Sequence, residues 1–145
     1  MRIDTFLEQS PVFAVNRAAR RFESMTTQLL AGDGLSFLEG LILAAVFFES
    51  PQQIKPSQLA VTLGTTRGNV SHCISSLESK GLLQRSIDPE DARAYLLTLK
   101  PAGKRCAMRV IAAFDQLQKQ CEQAGGKAAL SEMQKTLRKL EALCE

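Results

Sequence analysis

Residues 57–99 constrain this chain most: S-Q-L-A-V-T-L-G-T-T-R-G-N-V-S-H-C-I-S-S-L-E-S-K-G-L-L-Q-R-S-I-D-P-E-D-A-R-A-Y-L-L-T-L. The pattern reads as a short helix, a tight turn into a second helix, and a hairpin. Leu59, Ala60 and Leu63 form the apolar side of the short helix. Gly64 ends it, because glycine enters the left-handed C′ conformation without Cβ strain. Thr65 or Thr66 then offers a hydroxyl to the open N–H groups of the next helix. That second helix presents Val70, Cys73, Ile74 and Leu77 at i, i+3, i+4 and i+7, the spacing of one buried face. Gly81 stops it.

A turn of about 100° per residue puts Gly68, His72, Ser75 and Ser79 on the opposite side, with Asn69, Ser71 and Ser76 flanking them. This outer face has no large apolar group and no carboxylate, and Arg67 sits at its N-terminal tip. Such a surface tolerates a phosphate backbone at close range and can read base edges in a major groove. Beyond Gly81, residues 82–87 and 95–99 read as two short strands, and the polar stretch 88–94 as the turn between them. The expected unit over residues 55–99 is a winged helix-turn-helix.

These residues resemble the MarR family of bacterial winged-helix regulators. The resemblance rests on L-A-x-x-L-G at 59–64, V-S-x-x-I-x-x-L-E-x-K-G-L-L-x-R at 70–85, D-P-E-D-A-R-A at 88–94, and L-x-P-x-G-K at 99–104. It is strongest over 57–104; outside that window only the order of helices matches. It implies a mainly α protein with a small β-hairpin wing, a winged helix-turn-helix flanked by N- and C-terminal dimerisation helices. The whole of 1–145 would be one domain, with 10–31 and 101–145 dimerising. The implied function is a transcriptional regulator, more often a repressor, that binds a pseudo-palindromic operator on double-stranded DNA as a homodimer. A second class stays open: a winged-helix module that binds protein and lacks sequence-specific DNA binding.

Charge adds a direction. Net charge is only +3, but residues 55–109 hold nine Lys/Arg against four Asp/Glu, while 1–54 hold four against six and 110–145 five against five. The surplus lies on the winged module, as at a polyanion site, although an ordinary solvated surface carries similar numbers. No run of about 18 apolar residues exists, so no membrane span is expected. Met1-Arg2-Ile3-Asp4 lacks the layout of a signal peptide, and a cytosolic chain is expected. Cys73, Cys106, Cys121 and Cys144 are far apart, with one histidine in the chain, so neither a zinc site nor any other cofactor is expected. No Walker loop, G-x-S-x-G or G-x-G-x-x-G is present, and His72 has no sequence-placed Asp, Ser or Cys partner, so no catalytic residue is assigned.

The flanks read as helices in need of cover. Ser10-Pro11 starts a long helix with the stripe Val12, Val15, Ala19, Phe22, Met25 and Leu29, after a short turn around residues 4–9. Ser36-Phe37-Leu38-Glu39 is a capping box. The helix it opens is apolar on nearly every side, which predicts a fully buried central helix. Pro101 opens a helix with Ala107, Val110, Ile111, Phe114, Leu117 and Cys121 on one face, broken at Gly125-Gly126. A last helix carries Leu130, Met133, Leu137, Leu140 and Cys144 in 3-4-3-4 spacing, a coiled-coil-like seam. Such stripes pack within the chain or against a second copy; a small winged module cannot cover three of them.

The candidate DNA-contacting residues are Thr65, Thr66, Arg67, Asn69, Ser71, His72, Ser75, Arg85, Asp91 and Arg93. Arg67 suits guanine and Asn69 suits adenine; Thr65 and Thr66 suit phosphate at a helix N-terminus, where Thr66 also serves as a plain cap. His72 either touches DNA or faces water. By resemblance, Arg93 at the wing tip enters the minor groove with Asp91 holding its guanidinium; the pair also fits a purely turn-stabilising role. Lys55, Lys80 and Lys104 are further phosphate candidates. The resemblance also implies a small aromatic or anionic effector near Phe13, Arg17, Arg20, Phe47 and Phe48, although core packing accounts for each phenylalanine. Cys106, beside Lys104, Arg105 and Arg109, has neighbours that lower a thiol pKa and would suit a redox sensor; a buried inert thiol is the competing reading.

Overall fold

A computed structural model describes residues 2–145. The chain falls into two compact units, one ending at Val110 and the other Ile111–Glu145. The first holds α1 (Ile3–Glu8), α2 (Pro11–Leu30), a 3-10 turn (Ala31–Asp33), α3 (Phe37–Glu49), α4 (Pro56–Thr62), α5 (Arg67–Ser79), β1 (Leu83–Asp88), β2 (Asp91–Leu99) and the start of α6 (Pro101–Gly125). The second holds the rest of α6, then α7 (Lys127–Glu141) and a closing 3-10 turn (Ala142–Cys144).

Helix starts follow their local chemistry. Ser10 Oγ accepts the Phe13 N–H at 3.1 Å ahead of Pro11. At α3 the capping box closes both ways: Ser36 Oγ accepts from Glu39 N at 3.1 Å, and Glu39 Oε1 accepts from Ser36 N at 3.0 Å. Gly64 (φ +64) and Gly81 (φ +74) make the two left-handed steps that end α4 and α5, where an L side chain would be strained.

The core of the first unit is aliphatic. Ile42 and Leu43 from α3, Leu59 from α4, Val70, Ile74 and Leu77 from α5, Leu83 and Leu97 from the hairpin, and Val110 from α6 are essentially removed from solvent. Burying each such side chain contributes about 1.5–3 kcal/mol. The central helix departs from the expectation of full burial: Phe37 and Phe48 are exposed, and only Ile42, Leu43, Ala44 and Val46 of its large apolar set are fully inside. Apolar composition all round a helix marks it as central but does not say how many of its sides the same chain can cover.

The hairpin is longer than its hydrophobic pattern indicated. β2 begins at Asp91, not at Tyr95, and the turn is only Pro89-Glu90. Leu83 pairs with Leu99, Arg85 with Leu97 and Ile87 with Tyr95, with an irregularity between Ile87 and Asp88. Asp88 Oδ1 accepts the Glu90 N–H at 2.9 Å and shapes the turn. The outer ribbon has no buried side, so period-2 hydrophobicity disappears there while the backbone ladder persists.

The stripe on α2 finds no cover in its own unit. Val12, Val15, Phe22, Met25 and Leu29 are exposed, while Thr26 and Leu30 near the C-terminal end of α2 are buried. In the second unit Leu130 and Leu137 are half-buried, and Met133, Leu140 and Leu143 are exposed. The regular helix ends at Glu141, so Cys144 belongs to the closing 3-10 turn and not to the α7 seam.

Candidate nucleic-acid interface

The inner side of α5 is the expected one: Val70, Cys73, Ile74 and Leu77 are all buried. Opposite and beside them Gly68, Asn69, Ser71, His72, Ser75 and Ser79 are exposed, as is Arg67 at the N-terminal tip, with Thr65 half-buried at the edge. Thr66 is the N-cap, its Oγ1 accepting the Asn69 N–H at 3.1 Å. Asn69 Nδ2 donates to Thr65 Oγ1 at 3.1 Å, so the amide is oriented before anything binds. The first turn of α5 thus presents one arginine, an oriented amide and two hydroxyls around a helix N-terminus.

Two clamps hold the C-terminal half of α5. On one flank the buried Glu39 of α3 uses its second carboxylate oxygen to accept from Ser76 Oγ at 2.9 Å and from Lys80 Nζ at 2.8 Å. Lys80 Nζ also donates to the Gly34 carbonyl at 2.8 Å. Burial pushes the Glu39 pKa up, but the bonds from Lys80, the Ser36 N–H and Ser76 outweigh it, and the carboxyl lies below its ordinary range. On the other flank Arg85 of β1 donates from Nε to Glu78 Oε1 and from Nη2 to Ser75 Oγ at 2.8 Å. Its guanidinium lies 5.6 Å from the centre of the Tyr95 ring.

Sequence reasoning placed neither clamp. Glu39 was legible as a cap, but its reach to Ser76 and Lys80 crosses 37 and 41 residues of chain. Glu78 and Tyr95 carried no signal beyond the family motif and strand propensity.

The hairpin is tied at a second point. Lys55 Nζ lies 3.3 Å from Asp88 Oδ2, and Asp88 titrates below its ordinary range, first because it accepts from the Glu90 N–H and then because of Lys55. Arg93 is the third residue of β2, past the turn and not at its tip. Asp91 Oδ1 accepts the backbone N–H of Arg93 at 3.0 Å, in place of the expected contact with the guanidinium. An Asx-type bond two residues ahead is the shorter reach, and it leaves the guanidinium in solvent.

Ion pairing redistributes the basic surplus. Lys55, Lys80, Arg85 and Arg109 are matched by Asp88, Glu39, Glu78 and Asp33 respectively. Among the described residues Arg67, Arg93, Lys100, Lys104 and Arg105 are in no such pair. The exposed cations without a counter-charge therefore include the α5 tip and the wing.

Other candidates separate from this surface. Cys106 is buried, and burial together with Asp33 pushes its thiol pKa up; nearby Arg109 acts in the opposite sense but does not reverse it. This corrects the lowered pKa of the sensor reading and fits the inert thiol: burial dominates, and Arg109 is paired with Asp33, its Nε and Nη2 at 3.0 and 2.8 Å from Asp33 Oδ1. Phe13 and Phe47 are half-buried on α2 and α3, and Arg17 and Arg20 are exposed. A shallow polar cleft in the first unit is lined by Glu49, Gln52, Gln53, Ile54, Gln58 and Thr62, none of them an effector candidate. Among the described residues no group of three or more His, Cys, Asp or Glu could hold a metal, and no single helix is long and apolar enough to cross a membrane.

Residues 49–95 match the family model described as MarR family, a span that runs from the end of α3 through α4 and α5 to the middle of β2. Over that span the chain is similar to the MarR family. The chain is 26% identical over 87 residues to the HTH-type transcriptional regulator PrsX of Escherichia coli, an alignment covering 60% of this chain and 52% of PrsX. The chain thus spans about half the length of the curated relatives it matches. The structure of S. aureus MepR in complex with DNA superposes with a TM-score of 0.83 at 18% identity, covering 92% of this chain and 97% of MepR. CouR from Rhodococcus jostii RHA1 bound to p-coumaroyl-CoA gives 0.77 at 19% identity, covering 92% and 93%. CouR bound to a 23-mer DNA duplex gives 0.80 at 20% identity, covering 93% and 94%. The mainly helical fold with a two-stranded wing is the fold of these solved structures.

Proposed function

We propose that this chain is a DNA-binding transcriptional regulator of the MarR family, more often a repressor, that grips a pseudo-palindromic operator as a homodimer. One observation carries the reading: the exposed side of α5 is small and polar, and Arg67 at its tip and Arg93 on the wing have no counter-charge while four other cations of residues 55–109 are neutralised by carboxylates. Thr65, Thr66, Arg67, Asn69, Ser71 and His72 form the major-groove set, and Arg93, oriented through the Asp91 turn, serves the minor groove. Two copies would set their α5 helices in successive major grooves, roughly 34–36 Å apart.

Dimerisation follows from the uncovered stripes on α2 and α7, assigned as dimerisation helices within 10–31 and 101–145 of a single 1–145 domain. A second copy is the occupant that symmetric assembly supplies. A cytoplasmic location goes with the reading, since that is where a bacterial chromosome lies. Catalysis has no part in it. The CouR complex with p-coumaroyl-CoA supports a small aromatic or anionic effector, with Phe13, Arg17, Arg20 and Phe47 as its contacts.

The test is selection of bound genomic fragments by the purified protein, followed by anisotropy titrations of the recovered duplex across a salt series. A steep linear fall of log K with log[salt] is expected, with Arg67→Ala and Arg93→Ala each lowering the slope by about one phosphate's worth, near 0.9. Salt-insensitive binding without sequence preference would move the chain into the protein-binding class.

A further inference from the structure

We propose that Arg85 is a positioning residue, not a phosphate contact: it fixes the wing to the side of α5 and so sets the angle at which helix and hairpin meet a duplex. The inference rests on the DNA-binding reading above and assigns a role within that surface. Arg85 and Tyr95 are diagonal neighbours on one face of the hairpin, since Arg85 pairs with Leu97 and Tyr95 with Ile87. On that face Leu83 and Leu97 are buried against the helical body, whereas Ile87 and Tyr95 are exposed. Arg85 stands at the boundary between the packed base of the hairpin and its free part.

Its guanidinium meets three partners there. Nε donates to Glu78 on α5, Nη2 donates to Ser75 one turn earlier, and the cation lies near the Tyr95 ring. A planar fork that spans two residues of one helix resists both sliding and rotation of the hairpin past that helix. Glu78 also cancels the charge, so the pair adds nearly nothing to the attraction for phosphate. Ser75, a sequence candidate for base contact, has its hydroxyl engaged in the same clamp. The Lys55–Asp88 pair restrains the hairpin toward the start of α4 and does not substitute for a tether to α5.

The two roles predict opposite signs for Glu78→Gln. If Arg85 bound phosphate, removing the competing carboxylate would leave duplex affinity unchanged or raise it. If Arg85 positions the wing, affinity falls by about fivefold, the upper range of one partly exposed ion pair, despite the loss of a negative charge. Arg85→Ala is expected to weaken binding by a similar factor with the salt slope unaltered, whereas Arg67→Ala, as the control, lowers the slope. Hydrogen exchange supplies a readout without DNA: both Glu78→Gln and Arg85→Ala should speed exchange of the β1–β2 amides, and Arg67→Ala should not. Unchanged or tighter binding by Glu78→Gln, or a reduced slope in Arg85→Ala, would overturn the assignment. If the unmodified protein binds no duplex, the function fails first. The positioning role is then judged by exchange alone, and hairpin amides unaffected in both variants refute it.

Discussion

Adding one methyl group at Gly103 is expected to destabilise the chain more than any substitution on its surface. Gly103 is buried in the first turn of α6, where an added Cβ would lie 1.9 Å from the Leu82 carbonyl oxygen, 2.8 Å from its carbon and 3.3 Å from its Cα. These are backbone atoms, so no rotamer can relieve the clash. Reaching ordinary contact near 3.4 Å requires α6 to retreat by about 1.5 Å. That movement breaks the bond from Lys100 N to the Leu82 carbonyl, now 3.0 Å, a loss of about 1 kcal/mol. It also separates Cys106, Ala107 and Val110 from the core, an overpacking cost of up to about 3 kcal/mol. Against this, alanine gains about 1 kcal/mol of helix propensity over glycine. The net loss is about 3 kcal/mol, or a fall in Tm of roughly 10 °C for a chain of this size. Circular dichroism melts at one fixed protein concentration measure it, because oligomerisation makes Tm concentration-dependent. Gly68→Ala is the internal comparison: its Cβ would meet nothing nearer than Thr66 Oγ1 at 3.9 Å, so Tm should stay level or rise slightly. A Gly103→Ala protein melting within about 2 °C of the parent would refute the close-approach argument, since an unrelieved clash of this kind is worth far more.

Glu39→Gln should cost about 1–2 kcal/mol at neutral pH, discounted because Lys80 is partly exposed. Because the folded pKa of Glu39 is lowered, its stabilisation is present above the ordinary value near 4.5 and is lost as pH falls through the folded value. Melts from pH 7 to pH 3 should therefore show parent and variant converging at the acid end; a constant gap would contradict the pairing. Cys73 and Cys106, both buried with raised pKa values, should react with a thiol reagent only after denaturant is added, and native labelling of Cys106 at its unfolded rate would restore the sensor reading. Phe22→Asp on the exposed α2 stripe should shift sedimentation from dimer to monomer while leaving the helical circular dichroism signal in place. A dimer that survives it places the interface elsewhere.

Much of the candidate surface was legible without coordinates. The capping threonine, the glycines at both helix ends and the 3-4-3 apolar spacing of α5 are local rules, and each constrains only a few neighbouring residues. Once Val70, Cys73, Ile74 and Leu77 face inward, helical geometry alone sends Ser71, His72 and Ser75 outward with Asn69 at their flank, while Arg67 is exposed as the first residue of the helix. The far half of the wing was less legible, because an exposed ribbon needs no hydrophobic alternation and Asp91 to Ala94 look like loop.

The amino-acid sequence by itself determined the winged helix-turn-helix, its polar outer face and the helical flanks with apolar stripes, because turn chemistry and periodicity act within a few residues. Only the tertiary structure decided which cations remain available. Lys80 meets Glu39 and Arg109 meets Asp33 across long stretches of chain, and Arg85 turns back onto Glu78 and Ser75. A charge in the sequence has a sign but no address. Whether it is cancelled depends on which carboxylate the packing of the core brings within about 4 Å of it, and that distance is a property of the folded chain alone.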